Sequence, residues 1–439
     1  MKISKKVLNR VEGEVELKLK WKKGRVEDAF VIAPSYRGFE EILRGRPALD
    51  AVVITPRVCG ICGHAHLMAS TGAIEDALRK GGIEIQLSEK ALKVRELTLS
   101  CELIQNHLRW FYLYLFPDLI RLESSLRKDY EPLKGKKWFK AIDASNKAIK
   151  VIAIFGGQWP HTSYAVPGGV TCDPTRFELG QAKSFLEELR EFLEEHLIGM
   201  DIGIYLSLSE ERFLEELRGD MEVFKEVSDK HLLHQVGTSY GRFISSYGVL
   251  FNRICKFDLR KVKEDTSYSF LSGKARGYSW SKSARYNGYP CETGPLARKL
   301  TSGDRVFRHL YRLFGDSVMV RVLARIDELV RLSERALNLV DSIELSQPSW
   351  VKPPLDIDKF SGSGVGIVEA SRGTLIHKVK INRGRIESYD IITPTVWNLG
   401  PRDERFLGVV EKAIVGVDSQ IKAEVVLRSF DVCSVCTSH

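Results

Sequence analysis

The residues best suited to chemistry are two C-x-x-C pairs, Cys59 with Cys62 and Cys433 with Cys436, near opposite ends of the chain. Two-residue spacing lets both sulfurs of a pair point to one ion, so the pairs together offer four thiolates. Thiolates select soft or borderline metals such as zinc, iron, nickel or copper(I). A structural zinc site is the common form, but zinc ribbons are local. These pairs instead predict a metal site that joins the two ends of a large chain.

Composition excludes several classes of protein. The chain has 439 residues, and its eight cysteines are too sparse for the disulfide framework of a small secreted domain. The net charge of +9 is spread thinly, without a Lys/Arg-rich tract, so we expect no nucleic-acid partner. The longest apolar run, residues 110–117, is too short to span a bilayer. We expect the remaining cysteines to be buried free thiols: Cys101, Cys172, Cys255 and Cys291.

Two hairpin patterns flank the chain, at about residues 7–33 and about residues 364–394. In the first, Val15, Leu17 and Leu19 alternate with charged residues, which predicts a half-buried strand before the turn at Lys23 and Gly24. Residues 24–34 (GRVEDAFVIAP) resemble residues 384–394 (GRIESYDIITP). We hypothesise that the two hairpins join one sheet and bring both ends of the chain to one site.

Long helices separate the hairpins. Apolar residues recur at helical spacing over residues 88–116, 175–197 and 319–340, and these faces predict a helical core. Ser88 is a suitable N-cap for the first helix, and we expect Pro117 to end it.

The ordered motifs carry a resemblance that covers essentially the whole chain. Arg57-x-Cys59-Gly-x-Cys62-x-x-x-His66 resembles the first signature of the large subunit of nickel–iron hydrogenases. Asp431-x-Cys433-x-x-Cys436-x-x-His439 resembles its last. Further landmarks occur in order between them or before them: Arg10-Val-Glu12-Gly13, Arg37-Gly-Phe-Glu40, His107-x-x-x-Phe-Tyr112, Pro160-His161, Arg285-Tyr-Asn-Gly288, Glu369-Ala-Ser-Arg372-Gly373 and Pro394-Thr-x-Trp-Asn398.

The resemblance implies a fold and a metal group. We expect an α+β fold that is mainly helical, a bundle of long helices with small peripheral sheets, in a single domain over residues 1–439. By position, all four cysteines match nickel ligands. Cys59 and Cys433 match the terminal ligands, whereas Cys62 and Cys436 match those that bridge nickel to an iron carrying CO and two cyanides.

The same resemblance assigns roles in heterolytic cleavage of H2. Cys433 matches the first proton acceptor, and Glu12 matches the glutamate that relays the proton outward. Arg372 matches the arginine held over the metals, for which we expect an electrostatic role because a guanidinium rarely loses its proton. Asp118 and Asp431 match the carboxylates that fix this arginine by hydrogen bonds.

Other matches surround the metals. Thr395 matches a hydrogen-bond donor to one cyanide, and His66 matches a residue that bonds a bridging sulfur. Ser371 stands where many members have proline and adds a hydroxyl near the cyanides. Magnesium is implied below the site, with ligands Glu40, His439 and the carbonyl of Ile391.

Partners and alternatives also follow from the resemblance. The chain has no cysteine run for an iron–sulfur relay, so we expect a heterodimer, or a larger assembly, with an iron–sulfur small subunit. A maturation protease that removes an extension after His439, and metal-insertion proteins, are implied as well. We expect a cytoplasmic, uptake-type enzyme, with export on a partner's signal as the other route. The alternatives are an H2-sensing regulatory subunit, a metal-free quinone-binding relative from respiratory complex I, and a scaffold with structural zinc.

Overall fold

Helices make up the largest part of the chain. The computed structural model describes residues 2–354 and 359–437. Helices and small separate sheets together confirm the predicted α+β class. The helices are α1 Phe39–Leu43, α2 Asp50–Ile54, α3 Gly63–Lys80, α4 Glu89–Arg109, α5 Phe116–Leu122, α6 Arg127–Tyr130, α7 Lys136–Gly156, α8 Arg176–Phe192, α9 Ile202–Leu206, α10 Gly219–Lys230, α11 Pro295–Ser302, α12 Arg305–Phe314, α13 Val318–Ser342, α14 Pro394–Asn398, α15 Val409–Ile414 and α16 Gln420–Ser429.

The long helices α4, α7, α8 and α13 pack against one another as a bundle. Three of these four helices have an N-cap side chain that accepts a hydrogen bond from a backbone N–H of the first turn: Ser88 before α4, Thr175 before α8 and Ser317 before α13. The predicted cap at Ser88 is confirmed, and the apolar faces of these helices form the main core.

Pro117 does not end the first long helix, so that prediction is wrong. After α4 the chain continues through a π-helical segment, Trp110–Leu115, directly into α5, where Pro117 is in the first turn. Proline is tolerated in a first turn because its missing N–H has no partner to lose there. The wider π turn therefore carries the chain past the proline.

The strands form five small antiparallel sheets in the described part of the chain. The expected hairpins are present, but each gains a third strand and the two lie in different sheets, so the one-sheet hypothesis is wrong. The strands are β1 Lys2–Leu8, β2 Val15–Lys22, β3 Arg25–Ile32, β4 Ala165–Val166, β5 Gly169–Val170, β6 Phe243–Ser245, β7 Gly248–Leu250, β8 Ile254–Cys255, β9 Val262–Asp265, β10 Ser283–Tyr286, β11 Gly362–Ala370, β12 Gly373–Asn382 and β13 Arg385–Ile392.

The similarity between the hairpins reflects a shared turn. Lys23 and Gly24 join β2 to β3 with φ of 50° and 76°, and Arg383 and Gly384 join β12 to β13 with φ of 47° and 72°. Two consecutive positive φ angles define the tight turn that matches the twist of a hairpin, and glycine suits its second position. The repeated sequence therefore encodes a local turn rather than a common sheet.

Strand β11 lies directly on helix α3, which begins at the first cysteine pair. A Cβ atom at Gly366 would stand 1.9 Å from the carbonyl oxygen of Ala69, and one at Gly364 would stand 2.2 Å from that of Ala73. Only glycine permits this backbone contact. The contact fixes the tip of the β11–β12 hairpin relative to the cysteines at the start of α3.

The cysteines outside the two pairs differ in exposure. Cys101 and Cys291 are buried as predicted, whereas Cys172 is half-buried. Cys255 is exposed because it lies on a two-residue edge strand, so its predicted burial is wrong. Among the described residues, no helix is long and apolar enough to cross a membrane.

Candidate metal centre

The four cysteines of the two pairs meet in one buried cluster. Cys59 follows a short 3-10 turn, and Cys62 is the N-cap of α3. Cys433 and Cys436 lie in the segment that follows α16. The Sγ atoms of Cys59 and Cys433 are 3.7 Å apart, and those of Cys62 and Cys436 are 3.6 Å apart. The cluster therefore unites the two ends of the chain, as their spacing predicted.

The donor atoms form two overlapping sets. The sulfurs of Cys59, Cys433 and Cys436 all lie within 4.8 Å of one another. Those of Cys62 and Cys436 form a second such set with a ring nitrogen of His66. A single tetrahedral zinc ion, with bonds of about 2.3 Å, would hold its sulfurs about 3.8 Å apart, but Cys433 and Cys436 are 3.0 Å apart. The two sets overlap at Cys436, so the cluster could hold a metal group of more than one ion.

The electrostatics of the sulfurs call for a bound cation. Hydrogen bonds from Cys433 and the other thiols hold the pKa of Cys59 well below its usual value. Burial raises the pKa of Cys433, and the hydrogen bond with Cys433 raises that of Cys436. Four buried thiols therefore cannot all ionise unless a metal compensates their charge.

Backbone contacts hold the two pairs together. The guanidinium of Arg37 donates hydrogen bonds to the carbonyls of Val58 and Val435, each next to a cysteine of a different pair. The N–H of Ser434 donates to the carbonyl of Glu12 at 2.9 Å. Gly13, with φ of 79°, leaves room for this pairing because a Cβ there would stand 2.4 Å from the Ser434 hydroxyl.

Arg372 is at the tip of the β11–β12 hairpin. Ala370 pairs with Gly373 across the strands, so Ser371 and Arg372 form a two-residue turn. The Nε of Arg372 donates to the carbonyl of Asp431 at 2.7 Å, and Nη2 lies 3.3 Å from its carboxylate. Burial opposes the charge, but Asp431 and the cysteine sulfurs raise the pKa of Arg372 well above its usual value. Arg372 is therefore a fixed cation beside the sulfurs.

Asp118 does not hold Arg372, which corrects the predicted contact. Its carboxylate accepts hydrogen bonds from Arg428 at 2.6 Å and Arg121 at 3.1 Å, and it also pairs with Arg10. Asp118 lies on α5, which packs against α16, the helix that carries Arg428. Of the two predicted carboxylates, only Asp431 contacts Arg372 among the described residues.

Glu12 lies between the cluster and the outside. It is half-buried and pairs with Cys433 in a short parallel bridge. Burial and the nearby charge of Cys59 raise the pKa of Glu12, and Arg372 partly offsets this. A carboxyl with a raised pKa beside thiolates can accept a proton and pass it on.

Three buried polar atoms near the cysteines have no hydrogen-bond partner in the described residues: Ser371 Oγ, Thr395 Oγ1 and Arg372 Nη1. Helix α14, which carries Thr395, packs against the turn that carries Cys436. Buried donors without partners are rare in folded proteins unless a bound group supplies an acceptor. These donors fit a metal group that carries polar ligands.

His66 begins a chain of three buried side chains. Its Nδ1 lies 3.0 Å from Nε2 of His377 on β12, and Nδ1 of His377 lies 2.8 Å from the hydroxyl of Tyr389 on β13. These three side chains connect the cysteine cluster to the sheet formed by β11, β12 and β13. His377 and Tyr389 were not predicted, because contacts between strands and a distant helix leave no local pattern.

Glu40 lies at the backbone of Ile391, a residue whose carbonyl the resemblance matches to a magnesium ligand. The N–H of Ile391 donates to Glu40 Oε1 at 2.8 Å. The ammonium of Lys282 lies 3.0 Å from both carboxylate oxygens and 3.1 Å from Glu264, and these two carboxylates raise the pKa of Lys282 despite its burial. His439 lies outside the described residues.

Glu102 and Arg325 are buried charges that sequence reasoning missed. Glu102 on α4 accepts hydrogen bonds from the N–H groups of His64 at 2.7 Å and Ala65 at 2.9 Å, at the start of α3. Burial raises the pKa of Glu102 to about 8. Arg325 contacts Asp431. The only available signal was a charged residue on an otherwise apolar helix face.

Known proteins resemble the chain over its full length. The sequence profile of the family described as "Nickel-dependent hydrogenase" matches residues 37–136 and 126–439. The chain is 28% identical over 505 residues to the "Periplasmic [NiFeSe] hydrogenase large subunit" of Desulfomicrobium baculatum, covering 100% of this chain and 95% of that one. It is 28% identical over 418 residues to "Sulfhydrogenase 1 subunit alpha" of Pyrococcus furiosus, covering 92% and 89%. A solved Ni-Fe-Se hydrogenase from D. vulgaris Hildenborough superposes with a TM-score of 0.85 at 25% identity, covering 100% of both chains.

Proposed function

Since the chain belongs to the nickel-dependent hydrogenase family, we propose that it works in the direction of H2 oxidation. Membership confirms the resemblance carried by the motifs and makes the protein an oxidoreductase that cleaves H2. The proposed direction rests on residues 428–437 (RSFDVCSVCT), which resemble the corresponding segment of uptake-type members of the family, and the role in H2 cleavage rests on the position of Glu12. This half-buried carboxyl lies beside buried thiols, where protons released from H2 need a route outward.

The four cysteines would hold nickel and an iron with CO and two cyanides. Cys59 and Cys433 would hold nickel alone, and Cys62 and Cys436 would hold both metals. When bound, this group supplies the electron-accepting centre at which the H–H bond breaks. The unpartnered hydroxyls of Ser371 and Thr395 support it, because they could donate to cyanide nitrogen.

The cleavage of each H2 gives two protons and two electrons, and side chains of the site carry the protons outward. Cys433 takes the first proton, the role that its match to the family's first proton acceptor implies. Glu12 then receives this proton from Cys433 and releases it toward solvent, and the second proton follows. Arg372 keeps its charge throughout and stabilises negative charge on the sulfurs, because Asp431 and the thiolates hold its proton.

The electrons would pass to an iron–sulfur small subunit. The name of the D. baculatum relative, a "large subunit", supports this, and four of the eight cysteines are already assigned to the metal centre. We also propose that a maturation protease and metal-insertion proteins act on this chain. We propose the cytoplasm as its location because residues 428–437 (RSFDVCSVCT) resemble the corresponding segment of cytoplasmic uptake-type members of the family. Immunodetection in cell fractions tests this location, and detection in the periplasmic fraction would contradict it.

Magnesium would lie beside Glu40, with the carbonyl of Ile391 and His439 as further ligands. Support comes from the carboxylate of Glu40, which lies 2.8 Å from the backbone N–H of Ile391. Carboxylate and carbonyl oxygens are the ligands that magnesium prefers. Glu40→Gln should remove magnesium, measured by elemental analysis, while nickel stays bound. Equal magnesium in variant and wild type would contradict this site.

Purification with the co-expressed small subunit tests the main proposal. We expect nickel and iron by elemental analysis, infrared stretching bands for CO and cyanide, and H2-dependent reduction of a dye. Cys433→Ser is the variant expected to abolish nickel binding. Exposed Cys255→Ser is the matched control, because it changes the same atom far from the cluster.

The possible outcomes separate the alternatives. Absence of infrared bands together with zinc would contradict the nickel–iron assignment. Complete metal content with only traces of dye reduction would identify an H2-sensing subunit instead. Dye reduction faster than H2 evolution under matched driving force would support the oxidation direction, and the reverse would contradict it.

A further inference from the structure

The carboxylate of Asp431 is shared by two guanidinium groups. Arg372 lies 3.3 Å from Oδ1, and Arg325 on α13 lies 3.1 Å from Oδ2. All three side chains are buried, with Arg325 only 2% exposed. A carboxylate with one cationic partner can still rotate about its side-chain bonds, whereas one with a second partner on its other oxygen cannot. Arg325 therefore determines where Asp431 presents its charge to Arg372.

Arg325 is held independently of Asp431. Its guanidinium stacks on the ring of Trp110 at 4.7 Å. Its Nη1 also lies 3.0 Å from Nδ1 of His107 and 3.3 Å from the carbonyl of Ser371. Ser371 is the other residue of the hairpin tip, so Arg325 contacts both the backbone beside Arg372 and the carboxylate that binds it.

A row of hydrogen-bonded charged side chains holds His107, on the side of His107 away from Arg325. Nε2 of His107 lies 2.9 Å from Glu328, and Glu328 also accepts a hydrogen bond from Arg298 at 2.6 Å. Arg298 in turn donates to Glu369 at 3.0 Å, near the end of β11. This row leads from the metal centre toward a surface cleft of about 780 Å³ lined in part by Glu328 and Arg298.

The row is suited to hold a position and not to conduct protons. A cationic guanidinium has five N–H donors and no lone pair, so Arg325 cannot accept a proton from one side and pass it to the other. Each of its contacts instead ends on an acceptor: a carboxylate, a carbonyl and an imidazole nitrogen.

We propose that Arg325 is a positioning residue for H2 cleavage: it holds the carboxylate of Asp431 so that the guanidinium of Arg372 stays beside the cysteine sulfurs. This inference rests on the proposed role of Arg372. It adds a residue that touches neither the metal ligands nor H2 and acts through Asp431.

A double-mutant cycle on the complex with the small subunit tests the proposal. The variants are Arg325→Met, Asp431→Asn and the pair together, and kcat is measured by H2-dependent dye reduction and by H2–D2O exchange. We expect Arg325→Met to lower kcat about 10- to 100-fold, the usual effect of removing a group that orients a metal-site residue. Arg325→Lys should recover part of this loss because it keeps a cation.

Arg321→Met is the matched control. Arg321 lies one turn earlier on α13 and is equally buried, but its carboxylate partners are Glu292 and Asp316. It also stacks on the ring of Phe430 at 3.9 Å, so it tests the loss of a buried cation beside the same segment without a contact to the carboxylate of Asp431. We expect a similar decrease in melting temperature with kcat per bound nickel unchanged. Nickel content and melting temperature are measured for every variant, so that poor folding is not read as poor positioning.

The cycle separates positioning from general stability. If Arg325 acts through Asp431, the double variant should be no slower than Asp431→Asn alone within about twofold. Additive losses, or wild-type kcat per nickel in Arg325→Met, would overturn the proposal. If Arg325→Met does not fold, the same cycle with Arg325→Lys is decisive on the same criteria. Full activity in Arg372→Met would instead refute the proposed role of Arg372 itself.

Discussion

Asp118 and Asp431 are two buried aspartates that each bind arginines from other parts of the chain. Asp118 is 0% exposed and binds Arg428, Arg121 and Arg10. Asp431 is 3% exposed and binds Arg372 and Arg325. Chemically the two clusters are almost the same, and the motifs assigned both aspartates to one task.

The elements that carry the arginines explain why their roles differ. Arg428, the partner of Asp118 on α16, also donates to the carbonyls of Asn9 and Arg10, just before Glu12. The Asp118 cluster therefore fixes the course of two chain segments. The Asp431 cluster fixes one cation at a hairpin tip. A buried ion pair thus shows its function through the backbone it holds and not through its own chemistry.

Removing the carboxylate of Asp118 should produce the largest change in stability. Asp118→Ala leaves Arg428 buried without its partner, and such a loss costs about 3–5 kcal/mol. Urea unfolding of the complex measures it. We expect kcat per bound nickel to stay within a few-fold of wild type. If Asp118→Ala lowered kcat as much as Asp431→Asn does, the two clusters would share one catalytic role, and the distinction between them would be wrong.

In the Asp431 cluster, removing the cation of Arg372 should lower kcat more than it lowers the stability of the fold. Arg372→Met takes away a fixed charge beside the sulfurs, and loss of such a group usually lowers kcat by about 10²–10³. Arg372→Lys should stay well below wild type, because an ammonium cannot reproduce the two contacts of the guanidinium with Asp431. Turnover by H2–D2O exchange provides the measurement, and a kcat within threefold of wild type for both variants would refute the assignment.

The imidazole behind Arg325 gives the Asp431 cluster a distinct response to pH. Burial lowers the pKa of His107 from 6.5 to about 4, so the folded protein binds fewer protons than the unfolded chain between these values. Wild-type stability should therefore fall as pH drops from 6.5 toward 4, by up to about 1.4 kcal/mol per pH unit from this group. His107→Gln should show a shallower fall in urea titrations across that window. Parallel curves for the two proteins would contradict a neutral His107.

The smallest change in the free energy of unfolding should come from Arg121, the partly exposed partner of Asp118. The side chain of Arg121 is 35% exposed, and exposed ion pairs contribute about 1 kcal/mol or less. Arg121→Ala should therefore lower the unfolding free energy by less than about 1 kcal/mol, against the much larger loss for Asp118→Ala. A loss above 3 kcal/mol would mean that Arg121, and not buried Arg428, holds the cluster.

The sequence was most informative where chemistry repeats at short spacing. Two C-x-x-C pairs identify their own sulfurs, and a turn such as Lys23-Gly24 identifies a hairpin, because the constraint lies within a few residues. The pairing of buried charges is different. Asp118 and Arg428 are 310 residues apart, and Arg325 and Asp431 are 106 apart. Nothing local distinguishes these partners, so Asp118 was matched with the wrong arginine and Arg325 was missed.

Because of the same long separations, the ligands of the metal centre are synthesised at different times. Cys59 and Cys433 are 374 residues apart. A ribosome adding about 5–20 residues per second needs about 20–75 s to pass from one to the other. For that interval the first pair leaves the ribosome as two thiols without their partners. Metal loaded too early would meet only half of its ligands, so the timing of insertion is set by the order in which the ligands are made.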